Sequence, residues 1–124
     1  MSRPPKILYI DDESDLLTLA SSFFEDEDLP IDTCSDFSEA LALIKKNAYD
    51  LIISDARMPT GSGKELLSII KTEGIFSGKF ILLTGNLDYQ KEADQHVFDL
   101  ILFKPLRFQD LVDRVKGMLL LDLK

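Results

Sequence analysis

Ile7-Leu8-Tyr9-Ile10-Asp11-Asp12-Glu13 decides the fold: four consecutive apolar residues run straight into three acids. A continuous apolar run this short reads as a strand covered on both faces, as in a parallel sheet between helices. The pattern recurs, each time followed by a stretch of helical period. The later runs are Ile31-Asp32-Thr33-Cys34, Leu51-Ile52-Ile53-Ser54, Phe80-Ile81-Leu82-Leu83 and Leu100-Ile101-Leu102-Phe103. Only the second alternates with polar residues, which suits a sheet edge. Five such units predict an α/β fold: a doubly wound, five-stranded parallel sheet with right-handed crossovers and five helices.

The helical stretches carry apolar stripes of unequal strength. Leu16, Ala20, Phe23 and Phe24 share one face of the first. Phe37, Ala40, Leu41 and Ile44 do so in the second, where Asp36 and Glu39 are placed for reciprocal N-terminal capping. Leu66, Leu67, Ile69 and Ile70 form the third, which ends near Gly74. The last carries Phe108, Leu111, Val112, Val115 and Met118/Leu119, just after Pro105. The fourth has only Tyr89, Ala93 and Val97, and is expected to be short and mobile.

Length and charge exclude several classes. At 124 residues the chain suits one domain, spanning 1–124, with a core that needs no disulfide or structural metal. Its single Cys, Cys34, cannot form an internal bridge and reads as a buried thiol. The longest uncharged run, Leu16 to Phe24, is far short of the ~20 apolar residues of a membrane span. No membrane insertion is expected, and a cytoplasmic location is the default. The net charge of −8, with no basic patch, argues against direct nucleic-acid binding. Most of that charge reads as solubility, but its placement suggests a divalent cation as well.

In open parallel sheets the chemistry lies at the C-terminal strand ends. Here those ends carry Asp11-Asp12-Glu13, Asp55, Thr84-Gly85 and Lys104-Pro105. Converging carboxylates repel by roughly 4 kcal/mol at ~4 Å and an effective dielectric of 20, so a positive group must offset them. Oxygen ligands grouped without His or Cys suit Mg²⁺, which takes one or two carboxylates and keeps waters that a phosphoryl oxygen can replace. Gly61-Ser62-Gly63-Lys64 imitates a phosphate loop, but Met58 and Glu65 occupy positions where that motif needs Gly and Ser/Thr. Gly63 reads instead as the opening of the third helix.

Taken in order, Ile7-Leu8-Tyr9-Ile10-Asp11-Asp12-Glu13, Asp55-Ala56-Arg57-Met58-Pro59 with Gly63, Thr84 and Lys104-Pro105 resemble a response-regulator receiver domain of two-component signalling, chemotaxis-regulator-like and single-domain. The resemblance covers nearly the whole chain. It implies a flavodoxin-like sheet of strand order 2-1-3-4-5, and since 124 residues fit one such domain, no output domain is expected. It implies that Asp55 takes a phosphoryl group from a histidine kinase or histidine phosphotransfer protein. Asp11, Asp12 and Asp55, with the main-chain carbonyl of Arg57, would hold Mg²⁺. Lys104 and Thr84 would engage phosphoryl oxygens, and Lys104-Pro105 would be a cis peptide. Such a chain is a signalling phosphoacceptor rather than a turnover enzyme, though it promotes its own phosphorylation and dephosphorylation. A separate effector protein would read its state, and the fourth helix, fifth strand and fifth helix would offer a homodimer face.

Two departures fall on the side that reports the signal. Ile101 stands where the family carries an aromatic three residues before the lysine, and a branched aliphatic cannot make the same rotation. The segment from Thr84 to Lys104 is also slightly short. Arg57 and Asn86, each two residues beyond a site residue, are candidates for setting phosphoryl lifetime. Two other readings compete. One is a pseudo-receiver acting only as an interaction module, which Ile101 favours. The other is a Mg²⁺-dependent phosphatase with an aspartyl-phosphate intermediate, disfavoured because that superfamily needs Asp-x-Asp after its first strand.

Overall fold

The computed structural model describes residues 4–86 and 97–122. Its main sheet has five parallel strands: β1 (Ile7–Ile10), β2 (Ile31–Cys34), β3 (Leu51–Asp55), β6 (Lys79–Thr84) and β7 (Leu100–Phe103). Between β3 and β6 lies a short antiparallel pair, β4 (Arg57–Met58) and β5 (Gly61–Ser62). The sheet order is β2-β1-β3-β6-β7, which is the expected 2-1-3-4-5 winding once the inserted pair is set aside. The described helices are α1 (Ser14–Glu25), α2 (Phe37–Lys46), α3 (Gly63–Thr72) and α4 (Phe108–Asp122). The expected fourth of five helices falls chiefly on 87–96, outside the described residues, as do Tyr89 and Ala93. Val97, the last residue of that stripe, is described and lies in a turn, exposed.

Strand alternation sorts the core into two layers. Leu8, Ile10, Ile52, Phe80 and Leu82 pack against α2 and α3. Ile7, Tyr9, Leu51, Ile53, Ile81 and Leu83 pack against α1 and α4. All four β1 residues are buried, whereas β2 is half-exposed at its edge. Cys34 is buried, and burial chiefly pushes its thiol up to about 12, so it is inert at neutral pH.

Local chemistry sets the element ends. Asp36 caps α2 by accepting from Glu39 N–H at 2.7 Å, but the reciprocal bond goes to Ser35 N–H at 3.3 Å, not to the cap residue's own amide. Ser62 caps α3 by accepting from Glu65 N–H at 3.1 Å. Gly74 ends that helix at φ 68°, a conformation glycine adopts without steric cost. The acidic run Glu25-Asp26-Glu27-Asp28 at the end of α1 conflicts with the helix dipole. The structure supplies a partial offset: Lys116 of α4 bonds Glu27 at 2.5 Å.

Candidate functional site

Asp11 directly follows β1, Asp55 ends β3, Thr84 ends β6 and Lys104 directly follows β7. Neighbouring parallel strands therefore deliver all four to one rim. Asp11 N–H donates to Cys34 O at 3.1 Å and Lys104 N–H to Thr84 O at 2.8 Å, so the ladders continue to the site's edge. Asp11, Asp55 and Thr84 are buried, while Asp12 is exposed.

The three aspartates each offer a carboxylate oxygen, and these oxygens lie within 4.8 Å of one another. Asp11 Oδ1 accepts from Glu13 N–H at 3.0 Å, which fixes the carboxylate's orientation. Its other oxygen, Oδ2, is buried without a hydrogen bond among the described residues. Among the described residues, Lys104 pairs with both acids: its Nζ lies 3.5 Å from Asp11 Oδ2 and 2.5 Å from Asp55 Oδ1. A buried carboxylate oxygen held by a long ion pair and by no hydrogen bond is costly. This cluster of three carboxylates, open to the solvent at Asp12, fits a hard divalent cation such as Mg²⁺.

Electrostatics follow from this crowding. Burial, the largest influence, raises the Asp55 carboxyl to about 6; Asp11 adds to the rise and the Lys104 ammonium opposes it. Burial works to lower Lys104, but Asp55 and Asp11 outweigh it and hold the ammonium charged. Tyr9, buried two residues before Asp11, has its phenol raised by burial and then by the Asp11 and Asp55 charges. A raised carboxyl has a stability consequence in metal-free protein. The folded state holds the Asp55 proton up to about pH 6, where the unfolded chain has lost it. This contribution is therefore full below the unfolded value, near pH 4, and lost as pH rises through about 6. In chelator, wild type is expected to gain more stability than Asp55→Asn on going from about pH 7 to about pH 5. Parallel denaturation curves for the two proteins at both pH values would contradict this.

A cavity of about 250 Å³ opens above Asp55, lined by Ala56, Arg57, Leu83, Thr84, Gly85, Asn86 and Lys104 besides Asp55 itself. Thr84 Oγ1 accepts from Asn86 N–H at 3.0 Å, which holds the β6 loop against the site. Arg57 is exposed on β4, with Gly63 N–H bonded to the preceding carbonyl, Ala56 O, at 3.0 Å. Gly63 is required there: a Cβ would lie 2.7 Å from Leu82 Cδ1 and 2.9 Å from Asp55 O. The Lys104-Pro105 peptide is cis. Ile101 lies away from this cluster, half-buried on β7 opposite Leu82, packed against the α2/α3 layer.

The site thus gathers Asp11, Asp12, Asp55, Thr84, Lys104, Arg57 and Asn86, and leaves Ile101 outside. Sequence reading passed over Tyr9 and Ser54. Tyr9 hid inside an apolar run, and its spacing of two from Asp11 was the available signal. Ser54 was visible as the polar residue closing an apolar strand.

The family model for the response regulator receiver domain matches residues 7–116. The regulatory protein VanRc of Enterococcus gallinarum is 30% identical over 92% of this chain, and the match covers 49% of that protein. VanRB of Enterococcus faecalis is 26% identical over 92% of this chain and 52% of its own length. The chain therefore spans about half the length of these curated relatives. Among solved structures, the chemotaxis response regulator CheY4 of Vibrio cholerae superposes with a TM-score of 0.84 at 25% identity, covering 94% of this chain and 99% of that one. The receiver domain of Francisella response regulator 1452 gives 0.83 at 30% identity, covering 92% and 95%.

Proposed function

This chain belongs to the response regulator receiver domain family, and from that premise we propose that it is a two-component phosphoacceptor whose Asp55 takes a phosphoryl group in a Mg²⁺-dependent reaction. The observation that carries the proposal is that Lys104 pairs with Asp55 at 2.5 Å and with Asp11 Oδ2 at 3.5 Å, the latter a buried oxygen with no hydrogen bond among the described residues. Asp55 attacks the phosphorus of a phosphohistidine on a histidine kinase or histidine phosphotransfer protein. An Asp55 oxygen–phosphorus bond forms, the nitrogen–phosphorus bond breaks, and the leaving imidazole keeps the electron pair and takes a proton from solvent. Asp11, Asp12, Asp55 and the Arg57 carbonyl would hold Mg²⁺, which supplies charge neutralisation at the phosphoryl oxygens when bound. Lys104 moves from Asp55 to one phosphoryl oxygen, and Thr84 gives its hydroxyl to another. The cavity above Asp55 is large enough to receive that group.

Residues 1–124 act in this reading as one receiver domain, cytoplasmic, read by a separate effector protein. Among the described residues no helix is long and apolar enough to cross a membrane. Ile101 does not replace the usual aromatic partner of Thr84, so the output passes through other contacts of β7 and α4, the region that also offers a homodimer face. Arg57 and Asn86 line the approach to Asp55 and set the phosphoryl lifetime. Arg57→Ala is expected to change the dephosphorylation rate severalfold, followed by loss of the acid-stable, base-labile adduct with time. A rate within about twofold of wild type would remove Arg57 from that role, since the charge there would then contribute under ~0.5 kcal/mol to the barrier.

Metal binding provides the test. Millimolar Mg²⁺ is expected to raise the melting temperature by linkage, and Asp12→Ala, at an exposed position, to blunt the rise without lowering the metal-free value. An unchanged wild-type melting temperature would count against the metal site. Turnover of phosphate esters would instead favour the phosphatase reading, and absence of any adduct the pseudo-receiver.

A further inference from the structure

Ser54 is the polar residue of β3 ahead of the terminal Asp55, fully buried between Ile53 and Asp55. Its neighbours are those of the α2/α3 layer. Met58 Sδ lies 3.9 Å from its Oγ, and a Cβ on Gly63 would lie 3.2 Å from it. A hydroxyl in such surroundings costs free energy that alanine would not incur, unless it is bonded. It is bonded: Ser54 Oγ donates to the main-chain oxygen of Asp55 at 2.8 Å. The next peptide is held equally firmly. Ala56 N–H donates to Leu83 O at 2.9 Å, and Ala56 O accepts from Gly63 N–H at 3.0 Å. Together these bonds fix the turn that leads from the phosphoacceptor to Arg57.

We propose that Ser54 is a positioning residue for the site. By holding the Asp55 carbonyl, it sets the peptide plane from which the Asp55 side chain and the Arg57 main-chain carbonyl are presented to the metal. Without the hydroxyl that carbonyl loses its donor and the peptide is free to tilt, carrying two metal ligands with it. The inference rests on the phosphoacceptor reading, and it goes beyond it by assigning a role to a side chain that touches neither metal nor phosphoryl group.

The test compares Ser54→Ala and Ser54→Thr in the whole chain, reading Mg²⁺ affinity by calorimetry, metal-free melting temperature, and phosphorylation rate at saturating Mg²⁺. Ser54→Ala is expected to weaken Mg²⁺ binding about tenfold, as loss of a bond behind a metal ligand does. Its metal-free melting temperature should stay close to wild type, because the cost of burying the hydroxyl goes with the bond that is lost. Ser54→Thr keeps the hydroxyl and should recover affinity to within about threefold. A Ser54→Ala affinity within about twofold of wild type, or a Ser54→Thr no better than alanine, would overturn the proposal. Should alanine or threonine fail to fold, Ser54→Cys keeps the volume with a much weaker donor and is judged by the alanine criterion. Wild type that binds no Mg²⁺ and takes no phosphoryl would overturn the phosphoacceptor reading and this role together; wild type that does both beside unaffected variants overturns Ser54 alone.

Discussion

Asp55→Asn is expected to take up no phosphoryl group from any donor, and to be at least as stable as wild type without metal. The two halves of that result have one cause. Asp55 is buried beside Asp11, and desolvation already drives its carboxyl toward the neutral form. An amide of the same shape removes that cost, for a gain on the order of 1 kcal/mol, the worth of about one pKa unit. It also gives up the Lys104 ion pair, which is the smaller influence on the carboxyl. What the amide cannot do is attack phosphorus or complete the carboxylate set. Loss of uptake combined with a collapsed melting temperature would mean that the carboxylate supports the fold instead, contrary to this account.

Gly63→Ala is expected to cost about 1–3 kcal/mol and to slow phosphorylation as well, because one methyl group strikes both the fold and the site. The added carbon would lie 2.7 Å from Leu82 Cδ1 and 2.9 Å from Asp55 O. Leu82 can rotate; the Asp55 main chain belongs to a central strand between β1 and β6 and cannot. The start of α3 must then retreat, stretching the 3.0 Å bond from Gly63 N–H to Ala56 O and turning the loop that carries Arg57. Gly117→Ala, at a helical position where a Cβ meets nothing within 4 Å, is the control and should be neutral or stabilising. Denaturant midpoints for both variants decide the matter. A Gly63→Ala protein as stable as wild type would show that the helix start is not pressed against the acceptor strand.

The winding of the sheet was legible because β1, β3 and β6 are continuous apolar runs, and burial on both faces leaves little else for such runs to be. The rim residues were legible for a related reason: a strand that ends in an acid or a lysine must put that charge where the sheet stops. The short β4–β5 pair was not, since two-residue strands carry no period. It stands out only through its bonds, as when Phe37 N–H reaches Pro59 O at 3.3 Å. The Glu27–Lys116 pair joins residues 89 apart in sequence, and nothing local announces such a meeting. Asp12 and Asp11 look equivalent in sequence, yet Asp11 continues the β1 ladder and is buried, while Asp12 lies in the bend beyond it and is exposed. That difference made Asp11 Oδ2 the unbonded oxygen, and no composition argument could have assigned it.

In the proposed reaction Asp55 alone carries the phosphoryl group, and metal is required. Intact mass of the chain, after incubation with a small-molecule phosphodonor with and without Mg²⁺, tests it most directly. A single phosphoryl adduct is expected that needs Mg²⁺, is labile to hydroxylamine, maps to Asp55 and is missing in Asp55→Asn. An adduct that persists in Asp55→Asn, or forms equally well in chelator, would contradict it.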